Sequence, residues 1–335
     1  MDFPFKNIEL IVINQNGKHL LEECFQSILE TTPADVRVTL MDNGSSDGSI
    51  SYVQENFPKV HILDFGRNLG FAGGYDQAIR ESESEYIVML NNDIKALPGW
   101  FEPLVEPLRQ KEVGITGSRL YRYDDANFLD HGGGKISISG GGIDIGKKTT
   151  DETPLAQNYS TSYACGAAMA FRKTTYVNLN GFDPGYVIYH EDVDLGWKAL
   201  LSGLQVLHIP RSRILHKVSA SMGHFENPRR LYLSQKNRLF NLFKNAGWWL
   251  LMKGLAANFI FDVFRTAGWC LRGKFKNVWI LFLANTSAYA SFPRLLGVRF
   301  HVQRNIRKKS DSILAKDGAF AGFKESFRSY MQLKK

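Results

Sequence analysis

The chain has 335 residues, 44% hydrophobic and 22% charged, which excludes a disordered protein and leaves room for one large domain or two ordinary ones. Its three cysteines, Cys24, Cys165 and Cys270, are far apart and form no C-x-x-C pair, which excludes a zinc cluster or a disulfide framework and suits a reducing compartment. The net charge of +8 is uneven: residues 236–335 hold 19 Lys and Arg against 4 Asp and Glu, a net of +15, leaving −7 for residues 1–235. The first residues, Met-Asp-Phe-Pro-Phe-Lys-Asn-Ile-Glu, lack the basic start and long apolar core of a signal peptide, so the expected location is cytoplasmic.

The first ~120 residues alternate strand and helix patterns, the signature of a mostly parallel sheet. Ile8–Ile13 reads as a strand, followed by an amphipathic helix on Leu20, Leu21, Cys24, Phe25, Ile28 and Leu29. Val36–Met41 is a second strand, ending in the turn Asp42-Asn-Gly-Ser-Ser-Asp-Gly48. A carboxylate at such a strand tip sits where open α/β sheets bind ligands, beside backbone N–H groups at the next helix start. The same turn can also serve simply to cap that helix through Asp47 or Ser49. Val60–Leu63 is a third strand. Arg67-Asn-Leu-Gly-Phe-Ala-Gly-Gly74 then offers a cation and a close backbone approach at a helix entry; it is not the G-x-G-x-x-G fingerprint. Tyr86–Leu90 is a fourth strand and runs into Asn91-Asn92-Asp93 and Pro98-Gly-Trp100. A hard carboxylate there suits Mg²⁺ or Mn²⁺ bridging to substrate phosphates. The alternative is an ordinary Asn/Asp turn.

Beyond residue 120 the order changes. Residues 128–148 are Gly-rich with alternating Ile and Ser, a hairpin or flap. Ser162–Phe171 reads as a small-residue buried strand, Gly181–Gly185 as a turn, and Glu191–Leu201 as a helix. Glu191, Asp192 and Asp194 crowd its first turn, where the helix dipole partly stabilises them. A carboxylate there could face a cleft as a general base or merely decorate the helix start. Gln205–Ile209 is the last strand. His208 sits inside it and reads as structural; His216 follows Ile214-Leu215, leads into the polar loop Lys217–Ser221, and could complete a metal site or neutralise phosphate.

From Pro228 the composition turns basic and aromatic: Trp248-Trp249, Phe259-Ile-Phe261 and Trp279-Ile-Leu-Phe-Leu283 are interleaved with Lys253, Arg265 and Arg272. No run reaches the about 20 apolar residues that a membrane span needs. The mixture matches helices lying in a membrane interface, with an ordinary helical subdomain as the alternative. No nucleic-acid module is recognisable, so no nucleic-acid partner is expected.

Taken in order over residues 8–221, these motifs resemble the family 2 glycosyltransferases, especially the rhamnosyltransferase-like branch. The matching residues are Asp42-Asn-Gly-Ser-Ser-Asp47, Arg67–Gly73, Leu90-Asn-Asn-Asp93, Pro98-Gly-Trp100, Gly181-Phe-Asp183, Glu191-Asp-Val-Asp194 and His216. The resemblance implies an α/β GT-A fold and inverting sugar transfer in cell-surface polysaccharide synthesis. A GT-A domain is expected over residues 1–227, with a nucleotide-sugar half (1–120) and an acceptor half (121–227). Residues 228–335 would be a helical region at the inner face of the membrane. The resemblance puts Asn14, Asp42, Arg67, Asn92 and Asp93 on the donor, Asp93 and His216 on Mg²⁺ or Mn²⁺, Asp192 as catalytic base, and Glu191 and Trp197 on the acceptor side. It favours dTDP-rhamnose over UDP- or GDP-sugars, with a glycan or polyprenyl-linked acceptor. Two positions depart from the pattern: Asn91 replaces the first carboxylate of the metal motif, and Asp76 stands where the branch often has Asn. A non-catalytic nucleotide-sugar or polysaccharide-binding scaffold of the same fold is the alternative; a nucleotidyltransferase lacks its Gly-rich basic N-terminal loop here.

Overall fold

The computed structural model describes residues 7–146, 157–217 and 227–331. β1 (Ile8–Asn14) is almost wholly buried, as a central strand covered on both faces must be. α1 (Lys18–Thr31) buries Leu20, Leu21, Cys24, Phe25 and Ile28 and returns the chain to β2 (Arg37–Asp42). α2 (Ser49–Asn56) leads to β3 (His61–Asp64), and α3 (Gly70–Glu81) leads back to β4 (Tyr86–Asn91). A short β5 (Ile94–Ala96) and α4 (Phe101–Val105) follow. The sequence reading places these first strands to within a residue or two.

The chain then adds β6 (Val113–Arg122), β7 (Leu129–His131), the antiparallel pair β8 (Gly134–Ile136) and β9 (Gly142–Asp144), and β10 (Tyr159–Ser160). β11 (Ala168–Arg172), α5 (Lys173–Asn178), α6 (Glu191–Leu201) and β12 (Gln205–His216) complete the sheet region. The strand order is β10-β12-β6-β11-β4-β1-β2-β3, with β5 on β12 and β7 on β6. β3, β2, β1 and β4 are mutually parallel, as are β6 and β12; β11 runs antiparallel between the two sets. The sheet is thus mixed, with a parallel half where one was expected.

Three expectations need correction. The ten-residue β6 was not anticipated, although it is buried almost throughout. The segment expected as a strand from Ser162 joins the main sheet only from Ala168; before that, Tyr163 makes a single bridge to Gly134. The last strand does not stop at Ile209: it passes Pro210 through a register shift between Ile209 and Arg213 and continues to His216. A bulge is where a sheet tolerates proline. The hairpin expected over 128–148 is represented by β8 and β9; its last two residues, and Val218–Ser221 of the polar loop, lie outside the described residues.

Successive side chains of one strand enter two cores. Leu10 and Val12 of β1 join Leu40, Val88 and Leu90 under α1 and α4. Ile11 joins Met41, Ile87 and Met89 on the face of α3, α5 and α6. This second core does not end at the sheet domain. It runs on into Leu239, Phe240, Leu242 and Phe243 of α7 (Pro228–Asn245), Leu251 of α8 (Trp248–Cys270), Ala288 of α9 (Phe275–Ala290) and Leu295 of α10 (Phe292–His301). α11 (Asp311–Lys316) and α12 (Phe323–Met331) close the chain. Among the described residues no helix is long and apolar enough to cross a membrane. Asp76, one of the two departures noted above, accepts hydrogen bonds from Arg80 Nε (2.9 Å) and Tyr176 OH (3.0 Å), tying α3 to α5.

Candidate active site

The sheet register builds the donor side. Asn14 pairs with Asp42 across β1 and β2, and Ile13 pairs with Asn91 across β1 and β4, so three strands end level. Their C-terminal edge, where the crossover direction reverses, is the ligand-binding edge of an open α/β sheet. Asn14 joins the strand tips: its Nδ2 donates to Asp42 Oδ2 (3.1 Å) and its Oδ1 accepts from Asn92 Nδ2 (2.7 Å). Asp42 is buried, and its other oxygen accepts from Ser45 N–H (2.7 Å), so the carboxylate also holds the turn. Gly44 has φ 77°, and a side chain there would meet the backbone of Arg67 at 2.6 Å. This close approach sets the exposed Arg67 beside the Asp42 turn. Asp47 accepts from Ser49 N–H (3.1 Å) and Lys18 N–H (2.9 Å); the N-cap position of α2 is Gly48, not Asp47 or Ser49.

β5 brings the next group in. It pairs antiparallel with the end of β12, His216 opposite Ile94, which sets the imidazole against Asp93. His216 Nε2 lies 3.3 Å from Asp93 Oδ1, and Nδ1 lies 2.8 Å from Asp130 Oδ2. Burial opposes the charged imidazole, but the two carboxylates outweigh it and raise its pKa to about 9. Asp93, also buried, ends below the ordinary carboxylate range because the His216 contact overcomes desolvation. Asp130 was missed by the sequence reading; it lies 86 residues from His216 and is brought in by β7 pairing with β6.

Residues suited to a divalent cation can be judged from unsatisfied atoms. Asn91 Oδ1 is buried and accepts no hydrogen bond, and Asp93 Oδ1 has only the 3.3 Å His216 contact. Two inward oxygens fit a hard cation. Among the described residues no group of three or more His, Cys, Asp or Glu side chains could hold an ion alone. The set is open, with positions left for phosphate oxygens.

The three acidic residues opening α6 separate completely. Asp194 is fully buried and holds Lys244 Nζ (2.8 Å), Lys198 Nζ (3.0 Å) and Asn245 Nδ2 (2.8 Å); burial works against the charge, but these partners bring its pKa down to about 2. Burial, reinforced by the neighbouring Asp192 charge, pushes the Glu191 carboxyl well above the usual carboxylate range. Asp192 is only partly buried. Its Oδ2 accepts from Gly166 N–H (3.2 Å) and its Oδ1 from Val193 N–H (2.8 Å), and burial raises its pKa against those contacts. The adjoining Ala167 carbonyl accepts from Asn91 N–H (3.0 Å), so one short segment before β11 touches both Asp192 and the β4 tip. Nearby, Asp144 accepts from Tyr163 OH (2.7 Å) and contacts His131 Nδ1 (3.1 Å), another group the sequence reading missed.

Trp197 is fully buried on α6 with its ring against Phe320. The backbone before α6 is unusual. Val187, Tyr189 and His190 have φ of 65°, 75° and 67°, three left-handed non-glycine residues in four positions. Each such residue costs on the order of 1–3 kcal/mol and persists only where its surroundings over-determine it.

With this geometry in hand, comparison with known proteins is informative. The chain matches the model of glycosyl transferase family 2 over residues 9–178. That span contains Asn14, Asp42, Arg67, Asn92 and Asp93 and ends before Asp192 and His216. The chain is 24% identical over 256 residues to the N-acetylglucosaminyl-diphospho-decaprenol L-rhamnosyltransferase of Mycobacterium tuberculosis (strain CDC 1551 / Oshkosh), covering 70% of this chain and 83% of the relative. The crystal structure of GalNAc-T7 with UDP, GalNAc and Mn²⁺ superposes with a TM-score of 0.60 at 16% identity, over 72% of this chain and 48% of that chain. The mannosyltransferase PcManGT from Pyrobaculum calidifontis, in complex with GDP-Man and Mn²⁺, superposes with a TM-score of 0.54 at 17% identity, over 98% of this chain and 85% of that chain. The fold is the GT-A fold anticipated from the sequence, and the chain belongs to glycosyl transferase family 2.

Proposed function

We propose that this family 2 glycosyltransferase moves a sugar, rhamnose, from a nucleoside-diphosphate donor to a glycan or polyprenyl-linked acceptor with inversion at the anomeric carbon. The observation that carries the reading is the meeting of two carboxylate sets across one short segment: Gly166 N–H on Asp192, and Ala167 C=O on the strand tip that bears Asp93. The likeness to a rhamnosyltransferase favours dTDP-rhamnose as donor.

In this reading Asn14, Asp42 and Arg67 receive the nucleoside, and Asn92 the ribose. Asp93 and Asn91 would hold Mg²⁺ or Mn²⁺, joined by His216 once it has released its proton. The bound ion would neutralise charge on the departing diphosphate. Asp192 takes the proton of the acceptor hydroxyl, whose oxygen forms the new bond to the anomeric carbon. The bond from that carbon to the diphosphate oxygen breaks with its electron pair, and the nucleoside diphosphate leaves. Burial raises the pKa of Asp192, and a raised pKa makes that carboxylate a better base.

The exposed surface of α8 and α9 supports a membrane-linked acceptor. α8 and α9 expose Trp248, Trp249 (82% exposed), Met252, Phe259, Phe264, Phe275, Trp279 and Phe282, with Lys253, Arg272, Lys274 and Lys276 alongside. This apolar face with a basic fringe fits the cytoplasmic leaflet of a membrane with anionic lipids, where a lipid-linked acceptor would be presented.

A thermal-shift screen of dTDP-, UDP- and GDP-sugars with Mn²⁺, followed by assay of nucleoside diphosphate release, tests the proposal. The dTDP-sugar should stabilise the fold most, and wild-type protein should release dTDP slowly to water. Binding without release in every pairing would favour the non-catalytic scaffold.

A further inference from the structure

The segment from Gly185 to Asp194 borrows its hydrogen bonds from another element. Lys236 Nζ donates to Gly185 O (2.9 Å). Asn237 Nδ2 lies within 2.8–2.9 Å of the carbonyls of Tyr186, Ile188 and Tyr189. Asn241 Nδ2 donates to Gly140 O (2.8 Å) and reaches His190 O (3.4 Å), while its Oδ1 accepts from Tyr186 OH. Ser234 Oγ contacts His190 Nε2 (3.0 Å), and Asn245 and Lys244 hold Asp194. Asn237, Asn241 and Asn245 are spaced i, i+4, i+8, one stripe of α7. The remaining carbonyl, that of Val187, accepts from Ala72 N–H of α3 (3.1 Å). The helix also needs close passage here: Gly140 has φ 88°, and a side chain on it would meet Arg238 O at 2.2 Å.

The three left-handed residues lie inside this grip and end one residue before α6. A chain with φ > 0 at a β-branched residue would relax if released. Relaxation would move the first turn of α6, and with it Asp192, away from Gly166 N–H. The two asparagine amides are buried, and helix interiors disfavour Asn, so the stripe contributes little to α7 itself.

We propose that Asn237 and Asn241 are positioning residues for sugar transfer: they hold the left-handed loop 187–190 in the single conformation that aims Asp192 at the reacting hydroxyl. This rests on the reading of Asp192 as the base. It adds a part of the machinery that lies in the C-terminal region, some fifty residues from the group it serves.

The test measures dTDP release from dTDP-rhamnose with Mn²⁺ in the full chain. Asn237→Ala should lower kcat about tenfold or more, as small misplacements of a reacting group do, with KM for the donor changed less than about twofold. The donor-induced thermal shift should persist. Adding Tyr189→Gly, which removes the steric cost of positive φ at that position, should recover part of the lost kcat. A purely structural role would lower thermal stability without this kcat-specific loss and would show no rescue. Wild-type kcat in folded Asn237→Ala overturns the inference, as does a loss shared equally by kcat and donor affinity. If that variant does not fold, Asn237→Ser and Ser234→Ala are judged by the same criteria. Asp192→Asn keeps the two readings apart: activity in that variant removes Asp192 as the base, whereas its silence alongside a fully active Asn237→Ala removes only the positioning role.

Discussion

The two sides of the site are built by opposite means. The donor edge is made of strand tips whose level is set by parallel register, with Asn14, Asp42 and Asn91 as the last residues of β1, β2 and β4. The loop that carries Asp192 has irregular backbone with three positive φ values, and its carbonyls are satisfied mostly by side chains of α7. Sheet register is insensitive to any one side chain, while the loop depends on a few amides. The first kind of site tolerates change in its surroundings; the second inherits the fate of a distant helix.

The largest effect expected is on the loop side. Asp192→Asn should cut turnover by about 10²–10⁴-fold, the contribution of a general base, while nucleotide-dependent thermal shifts survive. Near wild-type turnover would leave the loop without its catalytic purpose and break the contrast at its root.

Next is stability. Asp194→Asn leaves Lys198 and Lys244 buried without their carboxylate, which should cost about 3–5 kcal/mol, read as a lowered denaturation midpoint. The sign with pH follows. The folded pKa of about 2 lies below the ordinary aspartate value of 3.8, so the carboxylate's contribution is present above about pH 4 and is lost as pH falls toward 2. The variant should therefore show a flatter acid limb than wild type. Equal slopes would mean that the buried triad is not what ties α6 to α7.

On the donor edge the expected change is smaller and falls mainly on the ion. Asp93→Asn should raise half-saturating Mn²⁺ at least about 10- to 100-fold, the cost of losing even a ligand's hydrogen-bond partner. The apparent melting temperature without Mn²⁺ should fall less than in Asp194→Asn, because Asp130 still holds His216. A collapse of stability there would show the donor edge to be as interdependent as the loop.

The smallest effect concerns the outward surface. A basic residue at an anionic leaflet is worth about 1 kcal/mol, so Lys274→Ala should weaken partitioning onto phosphatidylserine vesicles about fivefold and leave neutral vesicles unaffected. Unchanged partitioning would detach this surface from lipid.

The same contrast explains what was legible in the sequence. β1 to β4 announce themselves as short apolar runs ended by turn residues, and the tips of β1, β2 and β4 carry most of the residues proposed for the donor. β6 hides because Gly114, Thr116, Gly117 and Ser118 break its apolar pattern; a side chain on Gly117 would meet Ala164 at 2.5 Å, so smallness is what its place demands. Pro210 imitates a strand end where the sheet has a bulge. Asp130 and Gly166 are single residues joined to the site by pairing across long sequence distances, which no local spacing reports. The asparagine stripe was visible in principle: three Asn at four-residue intervals in a helix that otherwise favours Leu, Phe and Lys are poor helix formers with no local reason to be there.

α7 is at once the last wall of the loop before α6 and the floor on which α9 and α10 pack. The C-terminal hundred residues are therefore no interchangeable cassette. Grafting this stretch from a relative to retarget the enzyme would also swap the clamp on Asp192. A truncation meant to release the protein from lipid would strip partners from half a dozen loop carbonyls and from Asp194. Dead chimaeras and dead truncations would look like evidence that the membrane activates the enzyme, when the chemistry had simply lost its support. Engineering of this scaffold should place its cut beyond Asn245 and keep the packing face of α7 covered.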